Sequence, residues 1–331
     1  MVTQGQGLCQ KPQGIIRAAT FTRVADLLNF VGVAYEHIPD LDEAPGTFGL
    51  KVPRAFAERM RRADPDDPLL RQVLPRRAEH QSIAGYSEDP VADRSAERVP
   101  GLLVKYAGRA LVVTTGACAI HCRYCFRRHF QYPSLGTHLE AILAAIAADQ
   151  SLNEVILSGG DPLMLSDDRL AELIGRLSQI RQLKRLRIHS RVPVVWPERL
   201  NNRLAQILSG GRLTGILVIH ANHPHELSET VCATLRDWRT LGLTLLNQSV
   251  LLKGVNDQIA TLAELSERLF ACGVLPYYLH ALDRVAGSAH FAVEDTQAQS
   301  LIAGLRARLP GYLVPRLVRE HPRAPAKQPF I

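Results

Sequence analysis

The chain is short of aromatic residues, of dense charge and of long apolar runs. Phe, Tyr and Trp make up 6% of its 331 residues. A nucleic-acid surface needs a basic stripe with interleaved aromatics. Here the net charge of +7 comes from dispersed arginines, densest at Arg76-Arg77 and at Arg123, Arg127 and Arg128. No nucleic-acid partner is expected. A modest basic excess suits anionic cofactors and substrates that carry carboxylates or phosphates. No run of about 18 apolar residues occurs, so no transmembrane helix and no membrane partner are expected. The opening MVTQGQGLCQKPQG has no apolar core, so no signal peptide is expected. Cysteine is scarce as well, at six residues. Cys9, Cys232 and Cys272 stand singly and read as ordinary buried thiols. What remains is a folded chain, 46% hydrophobic and 21% charged. That is enough for one large α/β domain with an appendage.

The other three cysteines crowd together as Cys118-Ala-Ile-His-Cys122-Arg-Tyr-Cys125, a C-x3-C-x2-C spacing. Three close thiols cannot all pair as disulfides. A structural zinc site needs a fourth ligand with its own partner spacing, and no second C-x2-C follows, although His121 lies inside the motif. Three thiolates can instead bind three corners of a [4Fe-4S] cube and leave one iron open to a chelating ligand. This is the spacing of the radical S-adenosylmethionine enzymes. An oxygen-sensitive cluster and free thiols fit a reducing cytoplasm.

Short apolar runs alternate with helical periodicity through the middle of the chain. The runs are 110–115, 154–158, 185–190, 215–220, 243–250 and 276–280, and the clearest intervening helix is capped near Ser166. Such alternation implies parallel βαβ units with right-handed crossovers. Six units suggest a partial barrel, with functional residues at the C-terminal ends of the strands. Before it, residues 15–38 read as partly helical with Thr22 as a cap, residues 53–75 as helices broken by prolines, and residues 76–100 as an irregular linker. After residue 309 five prolines exclude a regular helix.

The strand ends are polar. The second closes in Ser158-Gly159-Gly160-Asp161, where two glycines let backbone approach a ligand such as the methionine part of S-adenosylmethionine. Ser190-Arg191 close the third, His220, Asn222 and His223 the fourth, and His280 and Asp283 the sixth. Asn247-Gln248-Ser249 lie within the fifth. Taken as a set, these tips make a barrel-top pocket.

CAIHCRYCFRRHF, LSGGDPL, IHSRVPV, IHANHPHE, NQSVLLKGVND and PYYLHALDRVAGSAHF, in this order, resemble the lysine 2,3-aminomutase family over about residues 95–327. DPDDPLLRQVLP and the end soon after Lys327 resemble the subgroup that makes (R)-β-lysine for modification of translation elongation factor P. The resemblance implies a radical S-adenosylmethionine partial (βα)6 barrel over 96–308. An N-terminal helical region and linker would span 1–95, and an irregular tail that binds pyridoxal 5′-phosphate would span 309–331. It also implies that the cluster cleaves S-adenosylmethionine to a 5′-deoxyadenosyl radical, while pyridoxal phosphate holds the α-amino group of L-lysine. Lys327 matches the cofactor-bearing catalytic lysine. Arg127 matches the arginine for the substrate carboxylate, and Asp283 and Glu320 match the acids for its distant ammonium. Lys105 and Arg109 match basic positions near pyridoxal phosphate. Ser158, Gly159, Gly160, Asp161, Arg191, His220, Asn222 and Gln248 are the remaining cofactor-binding candidates. An electron donor such as flavodoxin or ferredoxin and a functional link to a β-lysine ligase acting on elongation factor P are implied. The alternatives are a mutase for ornithine or glutamate, or a non-catalytic metal-binding regulator.

Overall fold

The computed structural model describes residues 20–43, 48–132, 135–322 and 324–330. Cys9 and the first residues of the 15–38 segment lie outside them. Strands β1 (Thr20–Phe21) and β2 (Val52–Pro53) form a small antiparallel pair. The other ten build one sheet, in which neighbours in sequence are neighbours in space. These are β3 (Glu97–Val99), β4 (Leu102–Tyr106), β5 (Arg109–Thr115), β6 (Glu154–Gly159), β7 (Arg185–Ser190), β8 (Thr214–Ile219), β9 (Thr244–Val250), β10 (Leu275–His280), β11 (Arg316–Arg319) and β12 (Gln328–Pro329). Strands β5 to β11 run parallel. Strands β3, β4 and β12 add antiparallel edges.

The six strands read from the sequence are β5 to β10, and the chain folds as the expected α/β partial barrel. Several expectations need correction. The tail is not wholly irregular, because β11 extends the parallel set and β12 pairs with it. Proline excludes helix but not an edge strand. The linker at 76–100 is also built in: it carries 3-10 turns at Arg77–His80 and Arg94–Ala96 and then β3.

Period-two alternation splits each parallel strand between two faces. Leu157, Leu186, Ile188, Leu217 and Ile219 face the helical layer and belong to the main apolar core. The opposite face carries the site. Helix Asp167–Ser178 shows how locally the outer layer is encoded. Ser166 caps it by accepting from the Arg169 amide, Asp167 and Asp168 complement the N-terminal dipole, and Leu170, Leu173, Ile174 and Leu177 are buried. Each such leucine adds about 1.5–3 kcal/mol by burial. The helix at Val24–Val31 begins without a side-chain cap, with Arg23 at its N-cap position rather than Thr22. Cys232 and Cys272 are joined as a disulfide with Cα atoms 4.6 Å apart, rather than standing as separate thiols. They lie 40 residues apart, on the helical layers before and after β9, and the βα repeat brings those layers together.

The N-terminal helices share the barrel's core through Leu27, Leu28, Phe56, Leu69, Leu70 and Leu74. Asp67 caps the short helix Pro68–Arg71 by accepting from the Leu69 and Leu70 amides. That places Gln72, fully buried, at the top of the sheet.

Candidate active site

The cysteine loop leaves β5 and is held from outside the barrel. His121 donates its amide to Lys51 O at 2.9 Å, and Arg123 donates its amide to Gln72 O at 2.9 Å. Lys51 Nζ donates to Cys118 O at 2.6 Å. Glu79, from the supposed linker, accepts from Arg123 Nε at 2.8 Å, from Arg123 Nη2 and from Arg128 Nη2 at 2.7 Å. Arg191 Nη1 reaches Cys122 Sγ at 2.7 Å, while its Nη2 donates to Gln72 Oε1 at 2.6 Å and Glu226 Oε2 at 3.1 Å.

Cys118, Cys122 and Cys125 are free and partly exposed. Burial, with its neighbouring thiols adding to the effect, pushes Cys118 well up, and burial together with Cys122 pushes Cys125 to about 11. Cys118 and Cys125 so placed ionise only beside added positive charge, which an iron cluster brings. Among the described residues no group of three His, Cys, Asp or Glu closes on the position of one ion. A cubic cluster holds its thiolates at separate corners, farther apart than the ligands of a single ion.

The two glycines of the second strand end are required by backbone rather than by open space. Gly159 has φ +118°, and a Cβ on Gly160 would lie 2.4 Å from Ala117 O. The Gly160 amide donates to Thr115 O at 2.6 Å and the Asp161 amide to Ala117 O at 2.8 Å, so this turn staples the approach to Cys118. Asp161 is buried. Its carboxylate accepts from Ser190 Oγ (2.7 Å) and from the amides of Leu163 (3.0 Å), Arg191 (2.7 Å) and Val192 (3.1 Å). Even so, burial raises it to about 6. Its oxygens are filled by the fold.

Within the site face, Gln248 Nε2 lies 2.8 Å from His220 Nε2. Burial lowers His220 to about 3 and drops His189 and His280 well below the ordinary histidine range, so these rings are neutral. His189 was not among the sequence candidates; strand alternation from Arg187 would have found it. Asn222 is tied to Gln72 Oε1 (3.0 Å), Tyr124 Oη (2.7 Å) and the Val250 amide (2.8 Å). His223 turns away and caps the following turn. Asn247 and Ser249 point outward and hold Ala221.

The tail returns its own residues to this face. Lys327 Nζ lies 2.9 Å from Glu320 Oε2, and Lys105 Nζ lies 2.8 Å from Glu320 Oε1. Lys105 also reaches Asp93 Oδ1 at 2.6 Å and Val91 O at 2.7 Å. Asp93 Oδ2 accepts from Arg127 Nε at 2.7 Å. Burial opposes charge on Glu320, yet Lys327 and Lys105 hold it down at about 2. The Asp283 carboxylate has no hydrogen-bond partner among the described residues, and desolvation pushes it up to about 7 despite Lys327 nearby. The structure thus brings Arg127, Glu320 and Lys327 into one charged chain, with Asp283 unfilled beside it. Lys105 is held by protein through hydrogen bonds to Val91 O and Glu320 and an ion pair with Asp93, whereas Arg109 stacks on Tyr106 at 5.0 Å and has no carboxylate partner among the described residues. Asp93 and Glu79 were missed by sequence reasoning, because a segment without periodicity gives no facing.

A family model, the Radical SAM superfamily, matches residues 112–265. L-lysine 2,3-aminomutase of Escherichia coli (strain K12) is 48% identical over 286 residues, covering 86% of this chain and 83% of that protein. L-lysine 2,3-aminomutase of Haemophilus influenzae is 44% identical, covering 85% and 84%. L-lysine 2,3-aminomutase of Clostridium subterminale is 36% identical, covering 81% and 65%.

Proposed function

The chain belongs to the radical S-adenosylmethionine lysine 2,3-aminomutase family, and on that premise we propose that it isomerises L-lysine to β-lysine by 1,2-migration of the amino group. The family uses a [4Fe-4S] cluster, S-adenosylmethionine and pyridoxal 5′-phosphate. Together, when bound, these groups supply a carbon-centred radical and an electron sink for nitrogen transfer between adjacent carbons.

The chain's own residues bind, orient and exclude water. Cys118, Cys122 and Cys125 hold the cluster. Arg191, Asn222 and the Ser158–Asp161 turn shape the S-adenosylmethionine side of the cavity, with Asp161 acting by bracing the turn. Lys327 would carry pyridoxal phosphate, with Arg109, which has no carboxylate partner among the described residues, as the cation for its phosphate. Lys105 serves from the side by fixing Glu320. His220 and Gln248, paired on the site face, would offer neutral donors and acceptors to the bound cofactors. Arg127 suits a carboxylate through its planar fork, and Asp283 with Glu320 suits a distant ammonium. The observation that carries lysine over glutamate is Asp283, a half-buried acid close enough to Lys327 to feel its charge, whose carboxylate accepts no hydrogen bond among the described residues. An ammonium satisfies it; a second carboxylate would repel it.

The product is (R)-β-lysine on the subgroup resemblance, supplied to a ligase that modifies elongation factor P. A flavodoxin or ferredoxin gives the electron. The oxygen-sensitive cluster that the family uses supports a cytoplasmic site, with the Cys232–Cys272 disulfide weighing against it. Among the described residues no helix is long and apolar enough to cross a membrane. An anaerobic assay with reductant, S-adenosylmethionine, pyridoxal phosphate and a panel of amino acids, read by mass spectrometry, should return β-lysine from lysine. Turnover of ornithine or glutamate with none of lysine overturns the assignment.

A further inference from the structure

Asp93 sits in a segment that reads as a linker, yet it is 1% exposed. Its amide is tied to Asp89 Oδ1 at 2.8 Å, and the preceding Ala92 adopts a left-handed φ of +54°. A non-glycine residue in that region costs about 1–2 kcal/mol, so the surrounding structure enforces this turn. The turn delivers one carboxylate between two cations. Asp93 Oδ2 takes Arg127 Nε at 2.7 Å and Oδ1 takes Lys105 Nζ at 2.6 Å.

The geometry of Arg127 is what this arrangement controls. A guanidinium is planar, so two anchored nitrogens fix both its plane and its direction. Nε is held by Asp93, and Nη1 donates to Ser158 Oγ at 3.0 Å. Nη2 has no hydrogen-bond partner among the described residues. Lys105, paired by charge with Asp93, donates to Val91 O and Glu320, so Asp93 also holds in place, through Lys105, the carboxylate that faces Lys327.

We propose that Asp93 is a positioning residue for the substrate: it aims Arg127 Nη2 at the α-carboxylate and, through Lys105, sets Glu320 for the opposite end of the molecule. The inference rests on the reading that Arg127 receives the substrate carboxylate. A brace of this kind acts on binding and alignment more than on the radical steps, so it separates KM from kcat.

The test uses the anaerobically reconstituted holoenzyme. Asp93→Asn keeps the shape and removes the charge. It should raise the KM for L-lysine by ~10-fold or more, with kcat within about threefold and iron content unchanged. Asp93→Glu should recover part of the loss, because it restores the charge with a longer reach. If Asp93→Asn does not fold, the double variant Asp93→Asn with Lys105→Met removes both members of one pair while still freeing Arg127 Nε, and the same rise in KM is expected. An unchanged KM in the variant that folds overturns the proposal. So does a loss confined to iron content or thermal stability, which would make Asp93 a structural staple only. Arg127→Lys is measured in parallel. If it leaves KM unaltered, the carboxylate reading itself fails. If Arg127→Lys raises KM and Asp93→Asn does not, only the role of Asp93 is lost.

Discussion

The two ends of the cavity use the same charged groups in opposite ways. At the cysteine loop, arginines meet carboxylates whose oxygens are all occupied. Glu79 serves Arg123 and Arg128, and Glu226 serves Arg191, Gln72 and the amides of Asn222 and His223. At the tail, Lys105 and Lys327 join Arg127, and one acid, Asp283, has a carboxylate that accepts no hydrogen bond among the described residues. Rigid forks held at several atoms suit a cluster that stays in place. Flexible ammonium groups and an open acceptor suit a guest that enters and leaves. On the proposed reading, completeness of polar satisfaction distinguishes the permanent side of the site from the exchanging side.

The sharpest way to break this division is to remove one anchor from each end. Cys122→Ala should lose iron and S-adenosylmethionine cleavage, yet still give a borohydride-trapped pyridoxal adduct on the C-terminal peptide. Lys327→Ala should do the reverse, with isomerisation abolished and cluster content intact. Full iron content and cleavage in Cys122→Ala would show that the two ends are not divided in this way.

Glu79→Gln comes next. It leaves two buried guanidinium groups short of their counter-charge, which costs ~3–5 kcal/mol. Calorimetry should show a fall of roughly 6–10 °C in Tm, with slower cluster incorporation. A drop of a degree or less would mean that the loop is held by its backbone alone.

Asp283→Asn tests the open end. Losing the acid proposed to meet the substrate ammonium should weaken L-lysine binding by roughly a hundredfold or more with no change in iron. Glu320→Asp should be milder, because the charge remains while the reach shortens. Equal lysine turnover by wild type and Asp283→Asn removes the basis for a lysine pocket.

The smallest effect is the pH dependence. Asp283 titrates near 7 in the fold, against an ordinary value of 3.8. The folded state therefore binds the extra proton between these values, and this carboxyl's contribution to stability falls as pH rises from about 4 to 7. Lysine binding runs the other way, since the ammonium needs the ionised acid. The KM for lysine should fall as pH rises through about 7, and Asp283→Asn should flatten that limb. A profile of the same shape in both proteins would place the titration elsewhere.

Much of the fold was legible in residue order. The runs that became β5 to β10, the cap at Ser166 and the crowded cysteines are signals a few residues long, and chain-local physics produces them. The SGGD turn was legible as a special place but not for its reason. Its glycines make room for the Thr115–Ala117 backbone, and its aspartate is filled by Ser190, Leu163, Arg191 and Val192. The linker gave no sign of Glu79 or Asp93, because no period tells which way an irregular segment faces. The tail's prolines argued against helix and left unsaid that Arg316–Arg319 would extend the sheet.

Sequence by itself determined the βα order, the thiol spacing and the inventory of cations and acids that the chemistry needs, since each depends on neighbours along the chain. Tertiary structure alone decided the partnerships. Lys105 meets Glu320 across 215 residues, and Arg127 meets Asp93 across 34. Each pairing depends on which strand lies beside which and on where an aperiodic loop turns inward, and a low-dielectric interior then makes it strong.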